Sequence, residues 1–136
     1  MAHVEYQKQV KVTLGLTAAQ VATTTTTGSW WSMESAHHAA IIFVVGAWTA
    51  GVTLNILQAT DNAGGSAKAL TPAKTLALTA GHADSVQILE VEASELDVAG
   101  AFNHIAVQAI AAGAGAILGS SIHRFPLRYE PSSYIT

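Results

Sequence analysis

The sequence predicts an all-β fold: one antiparallel β-sandwich, jelly-roll-like, with extended arms at both ends. Three observations carry the prediction. Val10-Lys11-Val12-Thr13-Leu14 and Val52-Thr53-Leu54-Asn55-Ile56 alternate apolar and polar side chains, the period of a strand with one covered face. Short β-rich runs recur along the chain, separated by turns of Gly, Ala, Ser and Asn. No amphipathic stretch of three helical turns stands between them; only Leu16 to Ala22 has the composition of a single turn.

The elements follow in order. Val10 to Leu14 reads as a half-buried strand. Residues 18–28 contain the tract Thr23 to Thr27, β-prone yet polar, and read as an edge or an exposed loop. Ser29-Trp30-Trp31-Ser32-Met33 is a short aromatic strand. His38 to Val45 is continuously apolar and β-branched, as expected of a strand covered on both faces. Gly46 to Gly51 then reads as a hairpin turn into the strand Val52 to Gln58. Later strands are expected at Leu76–Leu78, Val86–Val91, Phe102–Ile110 and Ile117–Phe125, with residues 111–116 as a loop between the last two. Alanine favours helix over Gln108 to Leu118, but Gly113 and Gly115 weaken that reading. Ile42, Val44, Leu54, Ile56, Leu89, Val91, Ile105 and Val107 are the expected core. The whole of 1–136 reads as one domain, with arms at about 1–9 and 129–136.

Composition narrows the function. Half of the residues are hydrophobic and 11% are charged, against about 25% in an ordinary soluble domain. The longest apolar run, Ala39 to Trp48, falls short of the ~20 residues of a spanning helix, so no membrane partner is expected. MAHVEYQKQV has no signal-peptide core. A net charge of −3 with six scattered Lys and Arg argues against nucleic acid as a partner. Without cysteine there is no disulfide scaffold, thiolate zinc site or thiol nucleophile. A surface so poor in charge suits packing against copies of itself or a larger assembly.

The motifs that suggest chemistry read better as structure. Gly64-Gly65-Ser66-Ala67-Lys68 resembles the end of a phosphate loop, but the first glycine of that pattern is missing. Lys68 is followed by Ala69, and Pro72 interrupts any helix after it. A turn is the expected structure. Of the six histidines, His37 and His38 point to opposite faces of a strand, while His104 and His123 are placed to meet across neighbouring strands. No metal-ligand spacing joins them, and no metal or cofactor is expected. Glu90 and Glu92 share a strand face roughly 6.5 Å apart, within the range of paired catalytic carboxylates. Charged residues at alternate positions of a strand mark its solvated face, with Leu89 and Val91 turned to the core, and that is the expected reading. Gly119-Ser120-Ser121 lacks the closing glycine of a serine-nucleophile elbow. No catalytic residue is assigned. Tyr6, Trp30, Trp31 and Tyr134 are the candidate interface residues, because exposed Trp and Tyr carry binding energy between proteins.

The order of the pieces adds a resemblance. The stretch from Trp31 through "SMESAHHAAIIFVVGAW" and "VTLNILQATDNAGGSAKAL", with the later "LDVAGAFNHIAVQ", resembles small head-associated proteins of tailed bacteriophages. That resemblance spans roughly Trp31 to Tyr129. It implies a virion structural protein, foremost a capsid decoration (cement) protein on the head surface, made in the host cytoplasm and bound to the major capsid protein as a homo-oligomer, with a trimer the first expectation. A tail or baseplate component and a carbohydrate-binding module using Trp30, Trp31 or Trp48 are the alternatives.

Overall fold

The computed structural model describes residues 10–17, 19–20, 25–111 and 115–126. The expected arms, with Tyr6 and Tyr134, lie outside these residues. Eleven strands run β1 (Lys11–Leu14), β2 (Ala19–Gln20), β3 (Thr25–Thr27), β4 (Trp31–Ser32), β5 (Ala36–Trp48), β6 (Val52–Ala59), β7 (Lys68–Ala69), β8 (Thr75–Leu78), β9 (Ser85–Glu92), β10 (His104–Ala111) and β11 (Ala116–Pro126). Single 3₁₀ turns follow β8 and β9.

All pairing is antiparallel. Sheet A has the order β1-β11-β5-β9, with β2 continuing the β1 side of β11. Sheet B has the order β3-β10-β6-β7, with β4 also on β10 and β8 also on β6. If β1 and β2, β3 and β4, and β7 and β8 are each taken as one interrupted strand, sheet A reads first-eighth-third-sixth. Sheet B then reads second-seventh-fourth-fifth. This is the wrapping of a jelly roll.

The core lies between the sheets. From sheet A it takes Ala39, Ile41, Phe43, Val45, Val91, Leu118 and Ile122; from sheet B, Leu54, Ile56, Ile105, Val107 and Ala109. Five of the eight expected core residues, Leu54, Ile56, Val91, Ile105 and Val107, are buried. Ile42 and Leu89 are half-buried, and Val44 is 59% exposed. The reading of His38 to Val45 as covered on both faces is therefore corrected. A two-layer sandwich covers each sheet once, so between Ala39 and Val45 β5 buries its odd-numbered residues and turns the even ones outward.

Other expectations are also corrected. The segment 46–51 is not a hairpin, because β5 and β6 belong to different sheets. The link at 49–51 carries the chain across the sandwich, held by the Thr49 and Ala50 N–H groups on the Gly115 carbonyl. In place of a helical turn, Ala19–Gln20 pairs with Ile117 and Leu118 as β2. Pairing along a ready strand edge outweighs the weak helix preference of two isolated residues.

Two features join the layers at one end. Gly15 donates to the Ser120 carbonyl at 2.9 Å and Gly28 to the Val107 carbonyl at 2.8 Å. The two glycines approach so closely that a Cβ on Gly28 would strike the Gly15 carbonyl, a backbone atom with no side-chain freedom to move. Gly28→Ala should lower stability by roughly 1–3 kcal/mol; an unchanged denaturant midpoint would refute that close approach. Arg124 of β11 is 0% exposed, yet it donates from Nη1 to the Ser32 carbonyl of β4 at 2.7 Å. Its guanidinium stands 5.4 Å from the ring centre of Trp31. Burial pushes its pKa down to about 10, which leaves it charged at neutral pH.

Candidate functional site

The outward face of sheet A is the feature that bears on function. Strand register sets its side chains in rows. Leu14 lies beside Ser121, Ile42 and Ile88; the next row runs through Gly119, Val44 and Val86. Ile117 continues the patch against Gly46. Val12 lies beside His123, Ala40 and Glu90 in the row on the other side. Among the described residues eight large aliphatic side chains are exposed, and six of them (Val12, Leu14, Val44, Val86, Ile88 and Ile117) are on this one face. That concentration distinguishes a patch from the scattered surface aliphatics normal to any protein.

The face has relief. Gly46, Gly119 and Ser121 leave a groove of about 370 Å³ between Leu14 and Leu16 on one side and Val44 and Ile117 on the other. No charged side chain lines it. Leu16 is held in place because its N–H donates to the buried Ser120 hydroxyl at 2.7 Å.

Charge collects at the far end of the same face. Glu90 and Glu92 are exposed on β9, as expected of a solvated strand face. His38 Nε2 lies 3.6 Å from Glu90, and Glu95 reaches back to accept from the Glu92 N–H at 2.9 Å. The Lys74 ammonium, 2.8 Å away, together with that backbone bond, holds the Glu95 carboxyl below its ordinary pKa. Asp97 is lowered in the same way by Lys68 and the Gly100 N–H, and Asp61 by the N–H groups of Gly65 and Ala63. His104 and His123 are lowered by burial. All five shifts act in one direction. A carboxylate with a depressed folded pKa stabilises the fold above its unfolded pKa and loses that contribution as pH falls. A histidine with a depressed pKa resists the proton that the unfolded chain accepts. The melting temperature should therefore fall steadily from pH 7 to pH 3, and a constant value over that range would contradict these assignments.

The remaining candidates find structural duties. Gly64 to Ala67 is a turn, as expected, and Lys68 opens β7. Asp61 Oδ1 accepts from the Ala63 and Gly65 N–H groups, each at 2.9 Å, and Gly64 has φ +81. Lys68 bonds Asp97 at 2.6 Å and lies 4.1 Å over the ring centre of Phe102. Trp31 packs against the core and donates to the Leu14 carbonyl at 2.8 Å. The Trp30 indole covers Gly64, where a Cβ would strike its ring nitrogen. Both indoles line a cleft of about 200 Å³ with Ser32, Asn62 and His104, while Trp48 packs against the core from the end of β5. His104 and His123 belong to opposite sheets and do not meet on neighbouring strands, which corrects that expectation. Among the described residues no group of three or more His, Asp or Glu is placed to hold a metal ion, and no helix is long and apolar enough to cross a membrane.

The face itself escaped sequence reasoning. Its signal was present as apolar residues on both parities of β5, which were assigned to a second covering layer.

No protein-family model matches the chain, and no curated protein matches it. Among solved structures, the SPBc2 prophage-derived protein YomS is similar with a TM-score of 0.54 and 12% identity, over 90% of this chain and 99% of that one. A chain of the Bacillus endospore appendages, which are disulfide-linked pili, has a TM-score of 0.48 and 17% identity over 94% and 98% of the two chains. A chain of infectious bursal disease virus, Gx strain, has 0.47 and 11%, over 93% of this chain and 34% of that chain. At such identities the likeness to YomS is one of fold alone.

Proposed function

We propose that this chain is a virion structural protein, a decoration or cement protein that docks on the major capsid protein of a tailed-phage head and stabilises it. One observation carries the reading: the outward face of sheet A is a broad apolar patch with a groove free of charge, exposed on an otherwise finished sandwich. A patch of this kind marks a protein interface. The sequence resemblance to head-associated proteins supports the same class, and a prophage-derived protein shares the fold.

The mechanism is burial. Six aliphatic side chains that are about half exposed would contribute roughly 1 kcal/mol each on being covered, about 6 kcal/mol for the patch. Loss of overall motion offsets much of this for one subunit. Repetition over a lattice makes the sum large, and a stiff β-sandwich loses little side-chain or backbone freedom on docking. No catalytic or cofactor chemistry enters this account.

The test is co-sedimentation of the purified protein with phage heads that lack it. Binding should saturate and should change little between low and high salt, because the groove carries no charge to screen. Absence of binding to heads, or binding to tails alone, would overturn the proposal.

A further inference from the structure

β9 differs from every other sheet edge in the described structure. Sheet A ends in the four-residue β1 on one side, and sheet B ends in the short pairs β3 with β4 and β7 with β8, none longer than four residues. β9 is an edge of eight residues, Ser85–Glu92, with unbroken register against β5. Among the described residues, no backbone hydrogen bond links its far side to another segment.

Natural proteins blunt such edges with proline, lysine or a bulge. The sequence SVQILEVE has no proline and no lysine, and its pairing shows no bulge. The centre, Val86-Gln87-Ile88-Leu89, is uncharged. Val86 and Ile88 are 58% and 55% exposed and form the rim of the apolar patch. Carboxylates stand only towards the ends, at Asp84, Glu90 and Glu92.

We infer that β9 is a self-pairing edge: two copies of this chain join through antiparallel β9 strands across a two-fold axis near Gln87. The occupant is a second copy because the uncharged centre of the edge, Val86-Gln87-Ile88, is complementary to itself in antiparallel pairing. With the axis at Gln87, Val86 faces Ile88 of the second copy, and the reverse contact forms by symmetry. The two A sheets become one sheet running β1-β11-β5-β9 and then back through the second copy. The apolar patches, which end at β9, merge across the junction. The ladder is smaller than the ~800 Å² per partner of a standard interface, so the pairing is weak and concentration-dependent, in roughly the micromolar range. Just beyond each end of the ladder, where the turn at Asp84 stops the pairing, Glu90 comes near Asp84 of the second copy. Salt therefore strengthens the dimer, whereas it would weaken the binding of a basic strand from another protein. The contact is two-fold, so it closes on two copies. It does not depend on what the patch docks on.

The test uses the full chain in analytical ultracentrifugation from about 1 to about 100 µM, with amide hydrogen exchange across the same range. A monomer–dimer equilibrium is expected, tightened by salt, with β9 amides gaining protection as concentration rises. Ile88→Lys and Val86→Lys should each weaken it at least tenfold. Leu14→Lys, three strands away on the same face, should leave it unchanged while weakening attachment to heads, so the two proposals fail separately. The wild-type exchange reading holds even if a β9 variant folds poorly. A monomer at every concentration, an oligomer with unprotected β9 amides, or capture of a Lys-rich strand peptide in place of self-association would overturn the inference.

Discussion

Val107→Asp yields a chain that does not fold. Val107 is 0% exposed at the middle of β10, with β6 on one side and β3 on the other. Its methyl group lies against the Gly15 backbone where the two sheets close together. A carboxylate there has no partner and no water, and the penalty of several kcal/mol approaches the whole stability of a small domain, about 5–15 kcal/mol. Val44→Asp is the control. The same chemical change at a 59% exposed position of β5 should leave a folded protein. Circular dichroism separates the two outcomes: a β-spectrum and cooperative melting for Val107→Asp would refute the placement of the core.

Leu14→Lys combined with Val44→Lys should abolish measurable attachment to heads while leaving the fold intact. The two side chains stand on opposite walls of the same groove, and each is more than half exposed. Substitution at such sites changes stability by only ~0.5 kcal/mol, because little is packed against them. On docking, however, two lysines would enter an uncharged apolar interface. The loss of burial and the cost of desolvating the charges together exceed about 2.7 kcal/mol, which is at least 100-fold in affinity. Co-sedimentation read against wild type measures this. Affinity within about threefold of wild type would remove sheet A's outward face from the docking account.

Most strands were legible because their alternation is local. Val52 to Ile56 and Ile105 to Ala109 show the two-residue period, and the structure buries the residues that it marked. The turn at Gly64 was legible from Asp61 and the glycines for the same reason. Sheet membership was not. Nothing in "GAWTAG" distinguishes a hairpin from a crossing between layers, since either needs only a few small residues. The orientation of β5 failed on a related point. A strand apolar on both faces is explained by a second covering layer or by a face left for a partner, and only the tertiary arrangement of two layers decides between them. The outward apolar face, with Leu14, Val44, Val86, Ile88 and Ile117, was hidden because it assembles from four strands that are far apart in sequence. Tyr6 and Tyr134 fall outside the described residues. Trp30 and Trp31, named for an interface, are half-buried and line one cleft, Trp30 over Gly64 and Trp31 beside Leu14 and Arg124.

Decoration of a phage head by this chain is decided by cryo-electron microscopy of tailed-phage particles that contain it, with copy number read against the major capsid protein. A copy number of the order of the lattice is expected, with density for this sandwich on the outer head surface and the outward face of sheet A turned to the capsid. A few copies confined to the tail or to a single vertex, or a lattice contact made through sheet B with the patch of Leu14, Val44 and Ile117 left in solvent, would contradict it.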